Sequence, residues 1–383
     1  MRGVDIPPFF TGEIGQLAAQ RVAQGRELIP MHYGEPALGA SRLAIAAAHR
    51  ALDHEPMQYW NSPRLRERIA QLYRDDYGVQ VSPERILLSA GASAGLIAVF
   101  TAMFAAGDRI GLLRPGYPAY RNSLRALGRV AVEIDCGAQD GYRLNPRVLA
   151  EVAEPLHGLV LASPNNPTGA MLDQAQLAAV AEVCRARGTR LISDEIYHSI
   201  VYGAPAVCAL QVDPDAIVVN SFSKLYRMTG WRLGWLVAPP DCVAALSAHL
   251  INFFLTPPAI SQYAALAAFD DLHELRGAVR TYAHNRARLL AELPPLGLGR
   301  MVAPDGAFYL YLDIAHLTDD SLAFCLRLLQ ETGIAAAPGI DFDPGHGRHC
   351  IRLSFAISSQ QVERAIDLLR GWLPRQTTRG AAS

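Results

Sequence analysis

The chain has 383 residues, half of them hydrophobic, with a formal charge of -1 at neutral pH and a pI near 6.8. That length builds a large core, expected as one large domain with a smaller one beside it, and the balanced charge excludes the basic field that nucleic acid or an anionic membrane surface would require. Six scattered cysteines, Cys136, Cys184, Cys208, Cys242, Cys325 and Cys350, form no Cys-x-x-Cys pair, so neither a disulfide framework nor a zinc site is expected, and a reducing cytoplasm suits them.

Met1 to Phe10 lack the long apolar core of a signal peptide, and residues 1 to about 45 read as loop-rich, with apolar patches that pack on the smaller domain. Short apolar runs then alternate with helical patterns: Ile86 to Ser89, Arg109 to Leu113, Val130 to Ile134, Gly158 to Ala162, Arg190 to Ser193, Ala216 to Val219 and Leu233 to Val237. Strands without a polar face, separated by helices, predict an α/β domain over residues 46–275 with a mainly parallel sheet flanked by helices. The apolar run from Leu96 to Ala106 is too short to span a bilayer. Asp173 and Gly188 punctuate a helix that feeds the strand ending at Asp194. Beyond Leu275 come a long charged helix, a strand over Ala307 to Ile314, a helix over 319–331, a strand over Cys350 to Ala356 and a last helix over 359–372. These predict a small α+β domain built from residues 1–45 and 276–374, with 375–383 as a disordered tail.

The chemistry concentrates at strand ends, where open parallel sheets bind ligands. Ser221-Phe222-Ser223-Lys224, followed by Gly230, Arg232 and Gly234, sets an amine among hydroxyls, glycines and a guanidinium. Such an amine can form an imine with an aldehyde while its neighbours hold a phosphate on the same ligand, and pyridoxal phosphate meets both demands. Asp194, at another strand end, can keep a pyridine nitrogen protonated by charge pairing, so that the ring accepts electrons; an acidic helix cap is the plainer use of such a residue. Ser163-Pro164-Asn165-Asn166-Pro167-Thr168-Gly169 is a turn that can present the Asn166 amide to a phenolate-like oxygen. Ser89-Ala90-Gly91-Ala92-Ser93-Ala94-Gly95 opens a helix whose backbone N–H groups can take an anion.

Taken with Arg352-Leu353-Ser354-Phe355, these motifs resemble the class I/II aminotransferases, pyridoxal phosphate-dependent enzymes of fold type I, and the likeness runs from Gly34-Glu35-Pro36 to Arg352. The resemblance implies that Lys224 binds the cofactor as an imine and shuttles the substrate proton. It further implies that Asp194 pairs the pyridine nitrogen, that Tyr197 and Asn166 bond the ring oxygen, and that Ala92, Ser93, Ser221, Ser223 and Arg232 hold the phosphate. Tyr117 would stack on the ring, Arg352 would grip the substrate α-carboxylate through its planar fork, and Gly34 would let the backbone pass close to the substrate. Tyr59 would reach the phosphate of a neighbouring subunit, which implies a homodimer with shared sites.

Two departures bear on the substrate. The loop after Tyr59 is shorter than is usual in the family, and Ser93 replaces the lysine that some members acting on acidic substrates carry. His32 and Tyr33 can line the substrate pocket, although a loop histidine is more often simply solvated, whereas His346 and His349 stand among Pro344, Gly345 and Gly347 and no metal is expected there. The expected reaction moves an amino group from an L-amino acid to a 2-oxo acid by a ping-pong route. Alternatives on the same scaffold are a β-lyase or a cyclopropane-forming synthase. A ligand-sensing regulator would need a DNA-binding module for which no basic helix-turn-helix is seen.

Overall fold

A computed structural model describes residue 4 and residues 6–376. In chain order the strands are β1 (Ile29–Pro30), β2 (Ile86–Ser89), β3 (Arg109–Arg114), β4 (Val130–Asp135), β5 (Gly158–Ala162), β6 (Arg190–Asp194), β7 (Ile217–Ser221), β8 (Gly234–Val237), β9 (Tyr309–Asp313), β10 (Ile334–Ala335), β11 (Ala337–Pro338) and β12 (Cys350–Ser354). The α-helices are α1 (Phe10–Ala23), α2 (Arg42–His54), α3 (Pro63–Tyr77), α4 (Ala92–Met103), α5 (Pro118–Ala126), α6 (Pro146–Ala150), α7 (Gln174–Ala186), α8 (Val243–Phe254), α9 (Ala259–Ala268), α10 (Leu272–Glu292), α11 (Ser321–Thr332) and α12 (Ser359–Trp372).

A seven-stranded sheet of order β2-β8-β7-β6-β5-β3-β4 forms the centre, and every pairing is parallel except those of β8. Apolar residues cover both faces with period two: Leu159, Leu161, Leu191 and Val218 face one core, Val160, Ile192, Ile217 and Val219 the other. Because β2 and β7 both run against β8, the ends of β2, β3, β5, β6 and β7 and the start of β8 lie along one edge of the sheet. Ser89, Ala162, Asp194, Ser221 and Gly234 stand on that edge.

A second core gathers around the antiparallel sheet β11-β12-β9, with Leu310, Leu312, Ile351 and Leu353 packed on residues of α10, α11 and α12. Ile14 and Ala18 of α1 join this core, and β1 pairs with β10. The loop-rich reading of the first residues is therefore corrected: α1 is a helix of 14 residues. Its start has no local cap. Instead Asp341, from the other end of the chain, accepts from the N–H groups of Phe10 at 2.9 Å and Thr11 at 2.8 Å and from the Thr11 hydroxyl at 2.7 Å. The tail reading is corrected in part, since Arg375 and Gln376 are helical and Gln376 is buried; residues 377–383 lie outside the described residues.

Candidate active site

A cavity of about 360 Å³ opens at the polar edge of the large sheet, and the strand ends deliver its lining. Gly34, Ala92, Ser93, Tyr117, Asn166, Asp194, Tyr197, Ser221, Ser223, Lys224, Arg232 and Arg352 all meet there. Tyr59 does not. It stands on the surface at 79% exposure, free to reach another molecule. His32 is also absent from the lining, which corrects its expected place: its ring is buried with neither nitrogen bonded, and burial together with the Arg352 charge pulls its pKa down to about 4. Its backbone carbonyl matters more, because it accepts from Arg352.

Lys224 Nζ donates to the Gly34 carbonyl at 2.6 Å. Burial, and then the Arg352 charge, lower its pKa to about 8, although Asp194 and Glu35 pull the other way. An amine so placed is a far better nucleophile near neutral pH than an exposed lysine. Composition isolates it further, since Lys224 is the only lysine in the chain.

Asp194 ends β6 with its carboxylate buried. Burial raises its pKa to about 6, and a hydrogen bond from the Tyr120 hydroxyl opposes the rise. Tyr120 lies one turn beyond Tyr117 in α5, and the two rings meet edge to face at 5.4 Å. The role of Tyr120 is not legible locally, because its partner is 74 positions away.

Arg352 lies in the central strand of the small sheet and is only 2% exposed. Its guanidinium sits between the rings of Tyr309 at 4.4 Å and Phe342 at 4.7 Å and donates to Asn166 Oδ1 at 2.8 Å. That bond orients the Asn166 amide and leaves its Nδ2 hydrogens for a ligand oxygen. Tyr309 also meets the Tyr197 hydroxyl at 2.6 Å. Its place follows from register, since Ser354 pairs with Tyr309 and Arg352 with Tyr311, which sets Tyr309 diagonal to the arginine.

At the other end of the cavity Gly91 caps α4 with no side chain bonded to the first turn. A Cβ on Gly91 would lie 2.3 Å from Arg232 Nη2, so glycine is required for the guanidinium to approach the helix start. Ser221 and Ser223 hydroxyls meet at 2.9 Å beside it. Uncapped helix N–H groups, two hydroxyls and a guanidinium make an anion cradle. A buried carboxylate, an amine of lowered pKa and this cradle, all lining one cavity, fit a phosphate-bearing aldehyde with a ring nitrogen.

Fold and cavity together present a buried lysine, a buried carboxylate and an anion cradle at the ends of a parallel sheet. The chain belongs to the family "Aminotransferase class I and II", whose sequence profile matches residues 27–369. It is 44% identical over 378 residues to the valine--pyruvate aminotransferase of Mycobacterium tuberculosis, covering 97% of each chain. Identity to the aspartate/prephenate aminotransferase of Thermus thermophilus is 32%, over 96% of this chain and 98% of that one. Among solved structures, an aminotransferase from Mycobacterium tuberculosis superposes with a TM-score of 0.95 at 44% identity, covering 97% of this chain and 98% of that one. The aspartate aminotransferase from Thermus thermophilus with maleate superposes at 0.90 and 31% identity, covering 97% and 100%. The protein is an aminotransferase that moves an amino group between an amino acid and a 2-oxo acid.

Proposed function

We propose that this aminotransferase holds pyridoxal phosphate in the cavity with Lys224 as its covalent anchor, and that its preferred amino donor has a neutral side chain. The observation that carries the reading is the convergence of Lys224, Asp194 and Arg352, from separate parts of the chain, on one cavity. When bound, the cofactor supplies an electron sink for the pair left on the substrate Cα. Asp194 keeps the ring nitrogen protonated. Tyr197 and Asn166 would hold the ring oxygen, Tyr117 would lie against the ring, and the backbone of Ala92 and Ser93 with Ser221, Ser223 and Arg232 would hold the phosphate. Arg352 would grip the α-carboxylate, and Gly34, whose missing Cβ lets the Tyr309 hydroxyl come close, would set its backbone beside the substrate. Lys224 Nζ, a buried amine of lowered pKa, would carry the proton of the substrate Cα. Amino acid and oxo acid use the same residues in turn, hence a ping-pong order.

The neutral side chain follows from charge. Among the described residues lining the cavity the cations are Lys224, Arg232 and Arg352, each with a task already, so none is left for a second carboxylate. The relative named for valine and pyruvate points the same way. We further propose a homodimer in which Tyr59 reaches the partner's phosphate, a division into a large domain over 46–275 and a small one over 1–45 and 276–374, and a cytoplasmic setting, the last supported by six free thiols.

The test is a set of amino acids given singly, without oxo acid, with product counted per active site. Valine and alanine should each yield one equivalent of oxo acid and then stop, and aspartate should react far more slowly. A preference for aspartate, or turnover that continues without an acceptor, would contradict the reading.

A further inference from the structure

Helix α1 carries Gly15 in its interior, on the buried face and one turn beyond Thr11. Glycine is among the poorest residues for a helix interior, so a steric reason is called for. A Cβ on Gly15 would lie 1.8 Å from the Tyr33 hydroxyl oxygen and 2.5 Å from its Cζ. The phenol therefore occupies the groove that the missing side chain leaves.

Tyr33 lines the active-site cavity, as Thr11 does, and is 39% exposed. The backbone on either side of it is pinned: the His32 carbonyl accepts from Arg352, and the Gly34 carbonyl accepts from Lys224 Nζ at 2.6 Å. A substrate with its carboxylate on Arg352 and its Cα facing Lys224 lies beside the residue between those two anchors, whose side chain lines the cavity. The His32 ring, 4.1 Å from that of Tyr33, backs the phenol. Nor can α1 retreat freely, because Asp341 holds its first turn. Any group added at position 15 pushes on the Tyr33 ring, which borders the cavity.

We propose that Tyr33, seated in the groove left by Gly15, sets the size of the amino-acid side chain that the enzyme accepts. The inference rests on the cavity being the amino-acid site. Tyr33→Ala widens the site, Gly15→Ala narrows it, and Gly15→Ala has nothing to push on once Tyr33 is gone.

The experiment compares alanine with 2-aminobutyrate, norvaline, norleucine and 2-aminooctanoate in the first half-reaction, followed by cofactor absorbance in the holoenzyme. Wild type, Tyr33→Ala, Gly15→Ala and the double variant are used, and the readout is the ratio of kcat/KM for the longest donor to that for alanine. Dissociation constants of the matching 2-oxo acids, measured by calorimetry, give the same ratio without turnover. Fit of a single methylene group changes such ratios roughly tenfold or more. Tyr33→Ala should raise the ratio about tenfold, Gly15→Ala should lower it by a similar factor, and the double variant should match Tyr33→Ala. An unchanged ratio in Tyr33→Ala overturns the inference while leaving the function intact. So does an equal loss from Gly15→Ala with and without the phenol, which would mean a general disturbance of α1. Failure of every amino acid to convert the wild-type cofactor would instead remove the functional reading, and this inference with it.

Discussion

Burial, more than any single neighbour, tunes the reactive groups. Burial lowers the Lys224 pKa from 10.5 to about 8, so its neutral form is available at a much lower pH than that of an exposed lysine. Only the neutral amine attacks an aldehyde, and protonation removes it as pH falls. The cofactor-free chain should therefore capture pyridoxal phosphate at a rate that climbs with pH and levels off just above 8. Stopped-flow absorbance across pH 6 to 10, a range chosen to bracket that pKa, checks this, and a rate still rising steeply at the top of the range would refute the lowered value. Arg352 offers a second check. Its planar fork bonds Asn166 and the His32 carbonyl and lies between two rings. Arg352→Lys forfeits bidentate geometry worth about 1.5 to 3 kcal/mol, roughly ten- to a hundredfold in kcat/KM for amino acids. Amines lacking the carboxylate should lose much less, and an equal loss for both would deny Arg352 the carboxylate. Lys224, Asp194 and Asn166 could be read from short contiguous motifs at strand ends. Tyr120 and Tyr309 could not, because what defines them is a partner 74 or 112 positions away.

At the scale of elements, α7 shows what local chemistry makes legible: Asp173 and Gln176 form a reciprocal capping box and Gly188 takes positive φ after the helix. Helix α1 shows the opposite case. Phe9 precedes it without a side-chain cap, and the carboxylate that binds its first turn belongs to Asp341, more than 300 positions on. No window of sequence contains both partners, so the segment reads as loop. Removing that carboxylate with Asp341→Ala should cost about 0.5 to 2 kcal/mol, the range for losing a helix N-cap, and should expose the first residues to limited proteolysis. A urea midpoint and a cleavage pattern both identical to wild type would show that α1 is held by its core contacts alone.

The whole molecule was legible in class and less so in arrangement. Apolar strands alternating with helices imply a covered parallel sheet, but they carry no sign of direction, so the reversal of β8 and the order β2-β8-β7-β6-β5-β3-β4 appear only in three dimensions. That order brings the chemistry to one edge. No α-helix of the described residues is long and apolar enough to cross a membrane. Tyr59, Met57, Phe253 and Leu255 are all exposed, and the proposed homodimer is a reason for apolar side chains to face outward. If sites are shared, mixing Lys224→Ala with Tyr59→Ala chains should restore activity that neither has alone, because one site of the hybrid then holds an intact lysine and an intact tyrosine. Mixtures no more active than their components after subunit exchange would place Tyr59 outside the site.

Borohydride trapping decides whether Lys224 is the covalent anchor of the cofactor. Because the chain holds a single lysine, its only other primary amine is the one at the chain start. Reduction of the pyridoxal phosphate-loaded protein followed by peptide mapping should place one label per chain on Lys224, and Lys224→Ala should bind the cofactor without becoming labelled. A label at the chain start, or none at all on protein that has taken up cofactor, would contradict the account.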